Sequence, residues 1–151
     1  MKLIFETNPE IDPQEPTIII QAAKQTEKAA AIMAALEHFQ AEKSDIIPVK
    51  TSQQLNMVKT KSIILVDLVD NLLVIYTVDG ILKTKETLVS FHQKLTPKHF
   101  LQVSRQAIIN VDYLLALEDS FSGNLTAKLA HQLTTSVSRK YVKDLMHFLG
   151  I

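Results

Sequence analysis

Cysteine and tryptophan are absent from this 151-residue chain, and glycine occurs only three times. The lack of cysteine excludes disulfides, thiolate metal sites and a cysteine nucleophile, and it is compatible with a reducing cytoplasm. GxGxxG, GxxxxGKS/T and GxSxG motifs are missing, and so few glycines make a phosphate-cradling loop hard to build. The longest apolar run, from Ala29 to Leu36, has eight residues, whereas a membrane span needs roughly 18–20. The N-terminus, MKLIFETNPE, does not have the pattern of a signal peptide.

The chain also lacks a recognisable constellation for catalysis or metal binding. Its five histidines have no spacing typical of metal ligands, and no local feature brings a serine, a histidine and an acid together. Asp67 and Asp70 could form a carboxylate pair, but Asp67 falls in an alternating strand and Asp70 beside a turn, where aspartate is common. We therefore predict no enzyme activity, no metal and no cofactor.

Charge is unevenly distributed along a chain that is neutral overall. Residues 1–45 contain four lysines and eight acidic residues, a net charge of −4, and the remainder carries +4. The 46% hydrophobic and 21% charged residues are typical of a soluble globular protein. An acidic front and a basic back indicate two functional regions, with the back favoured as the anion-binding one.

The front, residues 1–45, is predicted to be a small α/β extension. A proline-punctuated stretch precedes Thr17–Ile20, which is β-branched throughout and is expected to form a strand. Thr26 is the expected N-cap of a helix that runs to about Gln40. Apolar side chains at helical spacing form a stripe on it: Ala29, Ile32, Met33, Leu36 and Phe39. The stripe either packs on the short strands of the front or serves in part as a dimer surface.

The back, residues 46–151, is predicted to be mainly β. Short β-like runs alternate with turn signals, and there is no βαβ rhythm. Asp79-Gly80 between two apolar runs predicts a two-residue hairpin of type I′. Short helices are expected near Glu86–Leu95 and from Arg139 to Leu149. The strand predictions are Ile46–Thr51, Leu55–Lys59, Ile63–Val69, Leu72–Val78, Ile81–Lys85, Phe100–Val103, Ala107–Asn110, Tyr113–Leu117, Asn124–Ala130 and Leu133–Val137.

The last predicted helix has cations where its dipole disfavours them. Ser138 is a plausible N-cap whose hydroxyl would accept from the amide of Lys140 or Tyr141. Arg139 and Lys140 occupy the first turn, where a cation typically costs about 0.3–1 kcal/mol. Either these cations are solvated at that small cost, or they form a phosphate site with the free amides. Lys140 and Lys143 lie on the face opposite the predicted buried stripe: Tyr141, Val142, Leu145, Phe148 and Leu149.

A second candidate is the polar bend Ser104-Arg105-Gln106, which interrupts two apolar runs. Side chains of these three types can hydrogen-bond base edges, and arginine does so bidentately to guanine. Asp70-Asn71 forms a third polar bend at the end of the strand Ile63–Val69.

Three segments together resemble the LytTR DNA-binding domain of bacterial transcriptional regulators. They are FLQVSRQAIINVDYL, SFSGNLTAKL and SVSRKYVKDLMHFLGI, and the resemblance covers about Ile46 to Ile151. The family pattern of a phenylalanine, a polar bend, apolar residues and an asparagine is matched from Phe100 to Asn110. The terminal Val-Ser-Arg-basic-Tyr signature is matched from Val137 to Tyr141. With only about 45 residues ahead of it, the chain is similar to the stand-alone form without a receiver domain.

The resemblance implies an elongated β fold whose loops enter two successive major grooves. By position, the base-contacting groups would be the bend at Asn71-Leu72, the bend Ser104-Arg105-Gln106, and Arg139. Many members carry histidine where Ser104 stands, which changes the expected base preference, and a polar or basic residue near Leu72. Stand-alone members are often paired with a small membrane protein that restrains them.

These observations favour a cytoplasmic, sequence-specific DNA-binding transcriptional regulator that binds double-stranded DNA as a homodimer on repeated half-sites. The expected DNA-binding residues are Asn71, Leu72, Ser104, Arg105, Gln106, Ser138, Arg139, Lys140 and Lys143. The alternative is a protein–protein adaptor that acts with a membrane-bound or cytoplasmic partner and does not bind DNA.

Overall fold

The computed structural model describes residues 2–12, 16–40 and 45–151. The chain forms two compact units, Met1–Ala41 and Glu42–Ile151. The division falls a few residues ahead of the boundary that the sequence predicts at Asp45.

The first unit contains the expected helix, α1, at Glu27–Gln40. Thr26 caps it as predicted, because its Oγ1 accepts a hydrogen bond from the Ala29 amide at 3.2 Å. The prediction of a strand at Thr17–Ile20 is wrong, since residues 2–12 and 16–26 contain no strand. β-branched residues favour a strand only where a partner strand packs beside them, and the described part of this unit offers none.

The apolar stripe of α1 is only partly covered. Ala29, Ile32 and Leu36 are half-buried and Met33 is exposed, whereas the side chain of Phe39 lies outside the described residues. The strands on which the stripe was expected to pack are not formed. Its use as a dimer surface stays a prediction.

The second unit is mainly β, as predicted, with two short helices. The helices are α2 at Leu88–Lys94 and α3 at Arg139–Leu149. The strands are Ile46–Lys50 (β1), Leu55–Lys59 (β2), Ile63–Val69 (β3), Leu72–Thr77 (β4), Gly80–Thr84 (β5), Phe100–Gln102 (β6), Ala107–Asn110 (β7), Leu114–Asp119 (β8), Leu125–Leu129 (β9) and Thr134–Val137 (β10). The central sheet is antiparallel in the order β5-β4-β3-β7-β6, a second sheet has the order β10-β9-β8, and β1 pairs with β2.

The central sheet has two buried faces, because its central strands alternate their side chains between two separate cores. Val66 and Ile108 are paired across β3 and β7 and pack with Phe91 of α2 and with the β1–β2 hairpin. The neighbouring pair, Leu65 and Ile109, points into a core shared with β8–β10 and α3. The sheet is therefore held between two packed layers.

Helix α3 packs on this second core through a narrower stripe than predicted. Leu145 is fully buried, and Tyr141, Val142 and Met146 are partly buried against the same core. Phe148 and Leu149, expected in the buried stripe, are instead exposed. They follow the last contacts of the helix and lie next to its left-handed C-cap, Gly150.

The hairpin at Asp79-Gly80 forms, but its predicted turn type is wrong. Thr77 pairs directly with Gly80, so the two loop residues are Val78 and Asp79. Among Val78, Asp79 and Gly80, only Gly80 has a positive φ, +150°. The Thr77 Oγ1 accepts from the amides of Asp79 and Gly80 at 3.2 and 3.1 Å. With this side-chain cap, the two-residue loop lies one position earlier in the sequence than predicted, at Val78-Asp79 instead of Asp79-Gly80.

Candidate nucleic-acid interface

The turn between β3 and β4 presents Asn71 to solvent. Val69 pairs with Leu72, so Asp70 and Asn71 form a two-residue loop, and their φ values of +49° and +64° give it the type I′ geometry. Asparagine and aspartate tolerate this left-handed backbone better than other residues with a Cβ atom. Asn71 is exposed, whereas Leu72 is half-buried as the first residue of β4. Of the two predicted residues, Asn71 is the one free to contact a ligand.

The bend between β6 and β7 presents Arg105. The Ser104 hydroxyl accepts from the Gln106 amide at 3.1 Å, and the Gln102 carboxamide donates to the Ser104 carbonyl at 2.9 Å. Arg105 and Gln106 are exposed and Ser104 is half-buried. The neighbours of Arg105 thus shape the bend and leave its guanidinium at the apex.

The start of α3 is capped differently from the prediction. Ser138 is the N-cap residue, but its hydroxyl makes no capping hydrogen bond. The Arg139 amide instead donates to Oδ1 of Asn124 at 2.8 Å, and the Tyr141 amide donates to the Ser138 carbonyl at 2.7 Å. The neighbouring hairpin thus supplies an acceptor for the first amide of α3, and the Tyr141 amide bonds to the carbonyl of Ser138 instead of its hydroxyl.

Two backbone hydrogen bonds join these segments. The Leu68 amide of β3 donates to the Gln106 carbonyl at 2.8 Å, which places the β3–β4 turn beside the β6–β7 bend. The Ser138 amide donates to the Val103 carbonyl at 2.9 Å, which places the start of α3 beside the same bend. We call the resulting surface the loop end: Asp70-Asn71, Ser104–Gln106, Phe121–Gly123 and Ser138–Lys140.

The β8–β9 turn, Phe121–Gly123, is the part of the loop end that the sequence prediction missed. Phe121 is 89% exposed, and Asn124 directly after the turn supplies the cap of α3. The Ser122-Gly123 pair before an alternating strand is a turn signal. The contact of Asn124 with a helix that begins 15 residues later has no local signature.

The loop end carries more exposed positive than negative charge, with Asp70 as its one acidic residue. Arg105, Arg139 and Lys140 are all exposed, and Lys143 is exposed one turn farther along α3. No acidic residue lies in the first turn of α3, so the helix dipole adds to this positive potential. Lys140 Nζ lies 5.7 Å from the centre of the Tyr141 ring, within the range of a cation–π contact.

One carboxylate lies just behind this surface. Asp67 of β3 pairs with Ala107 at the start of β7 and is half-buried. Desolvation by burial raises the pKa of its carboxyl, an effect partly offset by a hydrogen bond from the Leu68 amide. A charge that is poorly solvated in this way opposes the positive potential of the loop end only while it is ionised.

Exposed arginines and amides on loops, with lysines on an adjacent helix, provide groups for base edges and for phosphates at one surface. Separate groups for base edges and for phosphates on one surface of a β scaffold are typical of a nucleic-acid-binding domain. Among the described residues, no group of histidine, aspartate and glutamate is placed to hold a metal ion, and no helix is long and apolar enough to cross a membrane.

The chain belongs to the LytTR family of DNA-binding domains, since the LytTr DNA-binding domain model matches residues 53–150. That match confirms the resemblance found in the segments above. The family consists of DNA-binding domains of transcription regulators and not of enzymes.

Two curated bacterial relatives agree with this assignment. The sensory transduction protein LytR of Staphylococcus epidermidis is 24% identical over 106 residues, which is 70% of this chain and 42% of the relative. The sensory transduction protein LytT of Enterococcus faecalis is 29% identical over 109 residues, which is 72% of this chain and 45% of the relative. The chain thus spans less than half the length of these relatives.

A solved LytTr DNA-binding domain from Bacillus cereus has the same fold. It superimposes with a TM-score of 0.65 at 18% sequence identity, covering 72% of this chain and 99% of the domain. The predicted fold class, mainly β with short helices, is confirmed.

Proposed function

We propose that this chain is a sequence-specific DNA-binding transcriptional regulator whose loops enter successive major grooves of the duplex. The observation that carries the proposal is the convergence of the β3–β4 turn, the β6–β7 bend and the start of α3 on the loop end. Because they come from two different hairpins and the start of a helix, their side chains are spread across a surface instead of along one helix. This arrangement favours contacts with several base pairs by separate loops.

The loop residues divide into base contacts and phosphate contacts. Arg105 and Arg139 carry planar, bidentate donors and are assigned to base edges, with Asn71 and Gln106 as neutral partners. The Ser104 hydroxyl shapes its bend. Ser138 is the N-cap residue before α3 and bonds to Val103 and Tyr141 through its backbone. Both serines therefore act chiefly by fixing the backbone. Lys140 and Lys143 have flexible ammonium groups suited to phosphates.

The proposal has consequences for location and assembly. A protein that acts on bacterial promoters works in the cytoplasm, where the DNA is. Binding as a homodimer on repeated half-sites would double the number of bases recognised, with the α1 stripe as the candidate contact. Restraint by a small membrane protein is the further partner that the family resemblance suggests.

The salt dependence of binding tests the proposal. If each protomer neutralises roughly three to five phosphates, log K against log salt should have a slope of about −3 to −4.5. The specific duplex for this titration is one enriched by the wild-type protein from a random pool, or the DNA upstream of its own gene. A flat response to salt on every duplex would rule out the DNA-binding proposal.

A protein–protein adaptor is the second candidate, favoured by one observation. The outward face of the β1–β2 hairpin exposes Ile46, Leu55 and Met57, with Lys50 and Lys59 paired opposite Leu55 and Ile46. Clustered apolar side chains of this kind mark interaction surfaces. Capture of the protein by a membrane fraction without DNA, lost on L55S/M57S substitution, would favour this candidate.

A further inference from the structure

The β8–β9 turn contacts Arg139 at two points. The Asn124 Oδ1 accepts a hydrogen bond from the Arg139 amide at 2.8 Å. A Cβ atom built on Gly123 would lie 3.1 Å from Cδ and 3.4 Å from Cγ of Arg139. One turn therefore controls both the backbone and the side-chain stem of this arginine.

The hydrogen bond to Asn124 determines what the start of α3 offers to a ligand. The first amides of a helix have no partner within the helix, and a free one binds phosphate well. Here the Arg139 amide is engaged by Asn124 and the Tyr141 amide by the Ser138 carbonyl. The amide of Arg139 is thus withdrawn from phosphate binding, and its contribution to recognition comes from the guanidinium.

Gly123 limits where the stem of Arg139 lies. Its φ of +79° is a left-handed conformation that glycine adopts without strain. The Arg139 methylenes occupy the space that a side chain at position 123 would need, because a Cβ on Gly123 would lie closer to the Arg139 Cδ than the ordinary packing distance. A Cβ on Gly80 or Gly150 would meet nothing within 4 Å. The close approach to a neighbouring side chain is therefore particular to Gly123.

We propose that Gly123 and Asn124 are positioning residues that set the direction of the Arg139 guanidinium and so determine base preference without touching DNA. The inference rests on the proposed function, because it requires Arg139 to contact a base. Asn124, directly before β9, fixes the start of α3, and Gly123 limits the position of the Arg139 stem.

A matched pair of glycine substitutions tests the contact with the stem. Gly123→Ala and Gly150→Ala place a methyl group on nearly the same left-handed backbone, φ +79° and +76°, so their cost in backbone strain is similar. Each full-length variant is titrated with a duplex enriched by the wild type from a random pool and with its scrambled sequence. We expect both variants to lower the melting temperature alike. Only Gly123→Ala should lower the preference for the enriched duplex, by about 3- to 10-fold, part of the roughly 5- to 150-fold that a bidentate base contact supplies.

A double-mutant cycle tests the action through Arg139. Asn124→Ala is made in the wild-type and Arg139→Ala backgrounds, with Asn56→Ala of the β1–β2 hairpin as a control for removing an asparagine side chain. We expect Asn124→Ala to reduce the preference in the wild type and to have no further effect once Arg139 is alanine, because the two residues then act as one unit. Asn124→Asp keeps the acceptor atom, so it should weaken both duplexes alike and retain the preference.

The outcomes separate this inference from the proposed function. If Arg139→Ala lowers the preference but Gly123→Ala and Asn124→Ala do not, the positioning role is wrong and the DNA-binding function stands. If Asn124→Ala reduces the preference equally in both backgrounds, or Asn124→Asp behaves like alanine, Asn124 contacts DNA itself and the inference is overturned. If the wild type distinguishes no duplexes, the proposed function falls and the inference with it.

Discussion

At the residue scale, Arg105 of the loop end and Asp67 of β3, just behind it, act in opposite electrostatic directions. Arg105 is exposed at the apex of its bend, whereas Asp67 is half-buried behind it on β3. The hydrogen bonds of the bend involve Ser104, Gln102 and Gln106 and do not require the arginine side chain. Substitution of either charged residue should therefore change recognition without removing the bend.

We expect Arg105→Ala to weaken binding to the specific duplex by about 1–3 kcal/mol and to a scrambled duplex by much less. The reason is that a bidentate base contact exists only on the matching sequence. Competition binding at several salt concentrations measures both values. Lys61→Ala is the control, because it removes one exposed positive charge just before the start of β3, away from the Asp70-Asn71 turn at its other end. Equal losses on both duplexes for Arg105→Ala would place Arg105 among the phosphate contacts.

We expect Asp67→Asn to stabilise the protein at neutral pH. Because burial raises the pKa of Asp67 above its ordinary value of 3.8, the folded state binds its proton more readily than the unfolded state does. The free energy of unfolding that this group contributes therefore decreases as pH rises from 3.8 through the raised pKa. Denaturant unfolding of both proteins from pH 3.5 to 7 measures this. The advantage of the asparagine variant should be full at pH 7 and vanish near pH 3.5; a constant difference would contradict the assigned cause.

At the scale of elements, α3 combines two functions on two faces. Leu145, with Tyr141, Val142 and Met146, attaches the helix to the second core, and the opposite face carries Lys140 and Lys143. The helix thus serves as a packed support from which cations project. Its start is fixed by Val103, directly after β6, and by Asn124, directly before β9. A helix held in this way supplies positive charge at a defined place on the surface.

We expect Lys140→Ala and Lys143→Ala each to weaken specific and scrambled duplexes equally. Each should also reduce the slope of log K against log salt by about one unit, because one phosphate contact is lost. Lys94→Ala serves as the matched control, since this lysine of α2 is paired with Glu86 at 2.7 Å on the other side of the central sheet. A change in sequence preference with either α3 variant would mean that the lysine contacts a base.

At the scale of the whole molecule, the two units differ in charge and in burial. The described side chains of the first unit include no buried residue, whereas both cores lie in the second. Residues 1–45 carry a net charge of −4 and the rest +4. DNA affinity and stability are therefore both expected to reside in the second unit.

We expect deletion of residues 1–45 to leave affinity for random duplex unchanged or higher, because a net negative charge is removed. If the α1 stripe forms a dimer contact, the same deletion should abolish cooperative binding to paired half-sites. Titration of single and paired half-sites with the intact and shortened proteins measures both effects. The I32S/L36S variant of the full chain is the control, because it disrupts the α1 stripe and keeps the net charge of residues 1–45. Cooperativity retained in both variants would assign the stripe to packing alone.

The sequence by itself determined most of the secondary structure of the second unit. Strands such as Ile63–Val69 and Ala107–Asn110 follow from local β-branched and apolar runs, and α3 follows from its 3.6-residue stripe, so neighbours in sequence are sufficient to specify them. The same local information placed polar residues at the three bends. It also gave the family, because the motifs around Arg105 and Arg139 are contiguous in the chain.

Only the tertiary structure decided how these pieces act together. The predicted serine cap of α3 is wrong: the Tyr141 amide bonds to the Ser138 carbonyl, and the side-chain acceptor at the helix start comes from Asn124, 15 residues before Arg139. No local sequence pattern encodes that contact. The strand predicted at Thr17–Ile20 failed because strand propensity is realised only with a pairing partner. The convergence of the three bends likewise depends on the order of strands in the central sheet. The physical reason is the same in each case: hydrogen-bond partners distant in sequence are selected by packing, and the local chain does not specify them.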